Sequence, residues 1–274
     1  MSYLIDADME VYKIADSIIA ARLNDIVARN WYPFKANESI NDADVQLVWD
    51  NSAQFSYGVY SLRPEYSEHI LKSDTSVLFA NGDWTKATVY TDRMQSEDGV
   101  LSADSLVILS LYSYLIKRRT LLLHSSLVDC KGNGIMFLGP SGIGKTTQAE
   151  LWNKYTGADI LNGDLVFVRE NKDGFYGYGS PWHGSSPYYR NAKVKIKALV
   201  SLEQSEENSV RELSGFDVMQ NIMDQVFLPY WYSEAMDDCL DTLDCTLGQV
   251  PFYHLSCRPD EEAVRLLQNK LNIG

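Results

Sequence analysis

Eight residues constrain this chain more than any others: Gly139-Pro140-Ser141-Gly142-Ile143-Gly144-Lys145-Thr146. They satisfy the pattern G-x-x-x-x-G-K-[ST], with an apolar segment before and a helix-forming segment after. The pattern has a physical reason. Glycines let successive backbone N–H groups turn inward, and the first turn of the following helix adds positive potential, so a polyphosphate is cradled. Such a loop demands a strand, a tight turn and a helix in succession, which places the chain in the α/β class. The expected ligand is a nucleoside triphosphate, ATP with Mg²⁺. Lys145 would reach the β- and γ-phosphates, Thr146 would ligate the metal, and Thr147 would close the loop.

Charge narrows the partners. The 274 residues carry 37 acidic side chains against 24 Lys plus Arg, a net charge of −13. That balance argues against nucleic acid, whose affinity comes from Lys and Arg neutralising phosphates. A small anion stays open, because a local cluster of donors can overrule the global field. Cys130, Cys239, Cys245 and Cys257 include no C-x-x-C pair, so reduced structural thiols are expected. The stretch Met1–Glu10 carries Asp6, Asp8 and Glu10 where a secretory signal needs positive charge. The longest apolar run, Leu106–Ile116, is short of a membrane span. A cytoplasmic protein with no membrane partner is the expectation.

The chain reads as two regions, an α+β region over 1–118 and a P-loop core over 119–274. In the first, apolar residues at Ile14, Ile18, Ile19, Ala21, Leu23 and Ile26 predict a helix over Val11–Val27. Ala43–Asp50, Thr75–Ala80 and Lys86–Tyr90 read as strands, and Asn81-Gly82-Asp83 as a turn. His69 and Trp84 read as packing or surface residues. Ser102 reads as the N-cap of a buried helix that ends at Lys117, Arg118 and Arg119.

In the second region, Leu121–Cys130 and Gly134–Gly139 are joined by only Lys131-Gly132-Asn133. So short a link makes an antiparallel hairpin. The helix Thr146–Tyr155 follows the loop and stops at Gly157. A strand over Asp159–Arg169 then turns into Phe175–Tyr178, and Ala192–Leu202 is a further strand. Helices are expected over Ser214–Phe227 and Ser233–Leu243, a strand over Val250–Leu255, and a last helix after Pro259-Asp260. Hairpins on both sides of the loop predict a mixed sheet, unlike the all-parallel sheet of most P-loop proteins.

Asp164, in Ile160-Leu161-Asn162-Gly163-Asp164, is the leading candidate for metal binding or for accepting a proton, although Asn-Gly-Asp is also a turn sequence. His124 stands in an apolar strand, where a histidine is a core residue as readily as a functional one. The loop Ser180-Pro181-Trp182-His183-Gly184-Ser185-Ser186 offers polar donors and an aromatic anchor, so Trp182 and His183 are substrate candidates. Arg190 joins them as support for a phosphate-facing loop. Lys193, Lys195 and Lys197 share one strand face, a solvated edge or a binding surface.

Together these residues resemble the HPr kinase/phosphorylase family and its broader set of HPr-kinase-like proteins. The resemblance runs from Leu121-Leu122-Leu123-His124-Ser125-Ser126 through the glycine-rich loop to Ile160-Leu161-Asn162-Gly163-Asp164. It implies a mixed-sheet kinase core related to phosphoenolpyruvate carboxykinases, transferring a γ-phosphoryl group to a serine-type hydroxyl on a peptide, protein or small molecule. His124, Lys145, Thr146 and Asp164 match family positions, which implies that His124, Asp164 and Lys145 are catalytic and that Thr146 and Asp164 hold metal. The resemblance also implies a homo-oligomer. The chain departs from the pattern at Gly163, where the first of two acids stands in the family, and at Thr147, where an acid often follows the loop. No arginine-glycine-rich C-terminal loop is present, so HPr is not the expected acceptor. A non-catalytic nucleotide-binding module and a simple NTPase are the alternatives.

Overall fold

A computed structural model describes residues 8–51, 63–73, 75–91 and 97–274. Met1–Ala7, part of the acidic stretch read above, lie outside these residues. The chain forms two compact units, Met1–Lys117 and Arg118–Gly274. Both are α/β with mixed sheets.

In the first unit, the described strands are β1 (Glu10–Ile14), β2 (Ser17–Arg22), β3 (Val45–Asp50), β4 (His69–Lys72), β5 (Ser76–Ala80) and β6 (Lys86–Thr91). They form one sheet in the order β1-β2-β3-β6-β5-β4, parallel at β2–β3 and β3–β6 and antiparallel elsewhere. The helix expected over Val11–Val27 is instead a hairpin followed by the short helix α1 (Asp25–Trp31). Ala15 and Asp16 make a two-residue turn with φ of 49° and 60°, the left-handed pair that hairpins prefer. Neither residue advertises that turn, and the β-branched residues around them fit strand as well as helix. Pairing buries Tyr12, Ile14, Ile19 and Ala21.

His69 and Trp84 stack with ring centroids 4.5 Å apart, a packing role. The buried helix α2 spans Glu97–Ile116, so Ser102 lies inside it and is no cap. Among the described residues, no helix is long and apolar enough to cross a membrane.

The second unit is organised by one long strand, β7 (Thr120–Cys130), which turns through Lys131 and Gly132 into β8 (Asn133–Leu138) as an antiparallel hairpin. β8 delivers the chain to the glycine-rich loop, and α3 (Lys145–Thr156) leaves it. Gly157, at φ 74°, closes α3 by donating its N–H to the Asn153 carbonyl. The segment read as one strand over Asp159–Arg169 is two, β9 (Asp159–Asn162) and β10 (Leu165–Asn171). Both pair antiparallel with β7, and Gly163-Asp164 form a two-residue break between them; the register shift lies one step earlier, at Leu161 opposite Leu127 and Val128.

β11 (Gly174–Tyr178) continues the hairpin, and β12 (Lys193–Gln204) crosses to pair with both β11 and β8. Five strands thereby close in the circuit β11-β10-β7-β8-β12. Beyond it lie β14 (Phe252–Cys257), parallel to β12, and the edge strand β13 (Ser209–Leu213). β13 is polar and mostly exposed, so it has no apolar alternation to announce it. The helices between are α4 (Phe216–Ile222), shorter than expected, and α5 (Met236–Gln249), longer.

Helix α6 (Glu261–Leu271) starts at Asp260, whose side chain caps the Ala263 N–H. It packs with α3 on one sheet face. Ile135, Phe137, Val200 and Leu255 meet Ala149, Trp152, Val264 and Leu267 there, all buried. Trp152 is fully buried beside Phe137, with ring centroids 6.3 Å apart, and fixes α3 on the sheet. Trp152→Ala should cost about 3–5 kcal/mol of stability, read as a lower urea midpoint; an unchanged midpoint would mean that α3 is not anchored there.

Candidate functional site

β8, β12 and β14 run parallel, and their carboxyl ends lie side by side. Ligands in open α/β sheets gather at such ends. Two cavities adjoin the glycine-rich loop, and Gly142, Gly144 and Thr147 line both. The larger, about 640 Å³, is walled by the strand ends at Leu202–Gln204 and Cys257 and by Ile143 and Gln148. The smaller, about 260 Å³, brings together His124, Ser141, Lys145, Thr146, Asp164 and His183, with Gly163, Ser185 and Ser186.

Each chemical group has a structural reason for its place. Gly144 takes φ 117°, a conformation that a side chain resists, so that the chain can turn from loop into helix. Lys145 is buried, and its ammonium donates to the carbonyls of Gly139 at 2.8 Å and Pro140 at 3.2 Å. Burial holds its pKa below the ordinary lysine value, and the nearby Asp164 carboxylate opposes that shift. The Thr146 hydroxyl lies 3.5 Å from the Gly163 carbonyl, and Ser126 donates to the Lys145 carbonyl at 3.0 Å. Thus β7 and the break between β9 and β10 grip the start of α3.

His124 on β7 and Asp164 in the break between β9 and β10 form a pair, Nε2 to Oδ1 at 2.9 Å, each side chain partly exposed to the cavity. The break itself is shaped by Asn162. Its side-chain oxygen accepts from the N–H groups of Asp164 at 2.8 Å and Leu165 at 3.0 Å. Its amide nitrogen donates to the Ser180 carbonyl at 3.0 Å.

The expected substrate residues scatter. His183 lines the smaller cavity. Trp182 is buried, its ring edge-on to Phe167 with centroids 6.2 Å apart, and it serves the loop as an anchor. Arg190 pairs with Asp159 at 2.7 Å, at the far end of β9 from Asp164, and lines neither cavity. Of the three lysines, Lys195 pairs with Asp173 and Lys193 lies over Tyr178, so that face is built from local contacts.

Sequence reading passed over Asn162, Ser186, Gln148 and the strand end at Glu203. Asn162 was legible only as part of a turn, although a polar amide closing an apolar strand was a signal. Ser186 explains Gly163. A Cβ at position 163 would lie 1.9 Å from the Ser186 hydroxyl oxygen and 2.4 Å from its Cβ, so no side chain fits there. Gln148 is buried on the wall of the larger cavity, with its amide nitrogen 3.2 Å from the Cys257 sulfur and its oxygen unpartnered. Burial pushes the Cys257 thiol up to about 11, so it stays protonated.

The donor set also bears on metal. Among the described residues no cluster of three His, Cys, Asp or Glu side chains could cage an ion. One hydroxyl and one carboxylate, Thr146 and Asp164, share the smaller cavity. That set fits Mg²⁺, which keeps several waters and binds jointly with phosphate oxygens.

No family model matches the sequence. No curated protein matches it either. Among solved structures, the Hpr(Ser) kinase/phosphatase from Coxiella burnetii is similar at 11% identity and a TM-score of 0.34, over 54% of this chain and 95% of that one. A likeness at that level is distant.

Gly163→Ala should lower the thermal midpoint by several degrees, and adding Ser186→Gly should recover most of the loss. Additive losses in the double variant would show that the two residues do not share that space.

Proposed function

We propose that this chain is an ATP- and Mg²⁺-dependent kinase that transfers the γ-phosphoryl group to a serine-type hydroxyl of a peptide, protein or small molecule. The observation that carries this reading is the His124–Asp164 pair facing the same small cavity as Lys145 and Thr146. A loop that merely grips a nucleotide needs no carboxylate held in place by an imidazole. A loop that presents a terminal phosphate to a hydroxyl does.

The roles follow from position. Loop N–H groups and the α3 N-terminus take the phosphates, and Lys145 exchanges its bonds to Gly139 and Pro140 for phosphate oxygens. The larger cavity takes the nucleoside. Thr146 and Asp164 would hold Mg²⁺, which when bound neutralises charge on the transferring group. His124 fixes the Asp164 carboxylate so that it can align the incoming hydroxyl. A second reading, a nucleotide-binding module without transfer, draws on Gly163, where Ser186 leaves no room for another carboxylate.

Two variants separate these readings. Lys145→Met should abolish MgATP binding by calorimetry while the chain stays folded by circular dichroism; retained binding would refute the loop assignment. Asp164→Asn should keep MgATP affinity within severalfold while phosphoryl transfer falls by about 100-fold or more. Transfer at the wild-type rate would remove Asp164 from the reaction, and no transfer by the wild type to any hydroxyl would favour the binding module.

A further inference from the structure

The smaller cavity has two walls. One comes from the glycine-rich loop and the start of α3, and the other from His124, Gly163, Asp164, His183, Ser185 and Ser186. A terminal phosphate gripped by the first wall would face the second. The hydroxyls of Ser141, Thr146 and Thr147 belong to the gripping wall, behind the phosphate they would help to hold. Two hydroxyls stand on the opposite wall. Ser186 is buried, and its oxygen accepts from the Tyr188 N–H at 3.3 Å and fills the space beside Gly163. Ser185 is exposed, and among the described residues its hydroxyl has no hydrogen-bond partner.

Ser185 stands at the tip of a tight turn. The Ser186 N–H donates to the His183 carbonyl at 3.0 Å, and Gly184, at φ 57°, takes the left-handed bend at the tip. Two contacts of His183 hold the turn in place. Its Nδ1 donates to the Ser186 carbonyl, and its ring stacks on Tyr189 with centroids 4.2 Å apart. The turn also lies against the carboxylate of Asp164. Oδ1 of that group meets His124, while a Cβ on Gly184 would lie 2.7 Å from Oδ2. The second carboxylate oxygen is therefore beside the residue that precedes Ser185.

We propose that Ser185 is a phosphorylation site of this chain, modified within the same molecule by the kinase site whose cavity it lines. This deepens the kinase reading above and rests on it. In the step, the Ser185 oxygen bonds to the γ-phosphorus while the bond from that phosphorus to the bridging oxygen breaks. The bridging electron pair leaves with ADP, and the hydroxyl proton passes to the Asp164 carboxylate and on to water. A hydroxyl carried on a fixed turn needs no capture from solution, which gives it a high effective concentration. The new phosphate stays in a cavity of about 260 Å³, in the place of the next γ-phosphate, so the reaction stops at one phosphate per chain.

The test incubates the full chain with MgATP and reads it by intact mass and peptide mapping, with N-acetylserinamide as an added acceptor in a parallel reaction. The wild type should gain one phosphate, at Ser185, at a rate per chain that does not change on dilution. Ser185→Ala should gain none, with its thermal midpoint unchanged. Ser185→Thr should gain one as phosphothreonine, more slowly. Asp164→Asn should slow the modification by about 100-fold or more.

Transfer to N-acetylserinamide without phosphate at Ser185 would overturn the inference and leave the kinase reading standing. So would a phosphate mapped to another residue, or a rate that falls on dilution and thus reports transfer between molecules. A wild type that transfers phosphate neither to Ser185 nor to the added acceptor would overturn both.

Discussion

The side chain of Asn162 adds to the backbone bonds between Leu161–Gly163 and Tyr188–Arg190, tying together the two stretches that build the candidate site. It is fully buried at the end of β9. Its oxygen accepts from the backbone N–H groups of Asp164 and Leu165, and its nitrogen donates to the carbonyl and hydroxyl of Ser180 and to the Trp182 carbonyl. Ser180 completes the tie by donating to the Leu165 carbonyl at 2.6 Å. One amide therefore sets where Asp164 leaves the strand and where His183 begins its loop. Stranding any of these buried groups would cost about 1–3 kcal/mol, enough to reshape the cavity without unfolding the unit.

The break between β9 and β10 keeps the ladder in step. β7 holds one register across it, with Leu127 facing Asn162 and His124 facing Leu165. Gly163 and Asp164 stand between those pairs, and Asp164 reaches His124 while the apolar residues before and after stay buried. Ser186 fills the space that a side chain at Gly163 would need. The break and the 180–186 loop are thus a matched pair.

Local chemistry made much of this legible. The glycine-rich loop, the hairpin through Lys131 and Gly132, the stop at Gly157 and the mixed sheet all follow from short-range rules. What failed had local ambiguity or distant causes. Ala15-Asp16 turns without a glycine, so a hairpin read as a helix. β13 is a polar edge strand with no apolar alternation. Arg190 was near the right loop in sequence, yet its partner is Asp159. Gln148, Glu203 and Cys257 meet only because β12 and β14 run parallel beside β8, a long-range pairing that no window of sequence reveals.

The bonds from Lys145 to the Gly139 and Pro140 carbonyls have one more consequence. They hold the ammonium against the loop, so the turn is wound without any ligand. Under the proposed function, much of the entropy of ordering that turn would be spent during folding and not at the moment of capture. A phosphate would then trade places with two backbone oxygens in a mould already set.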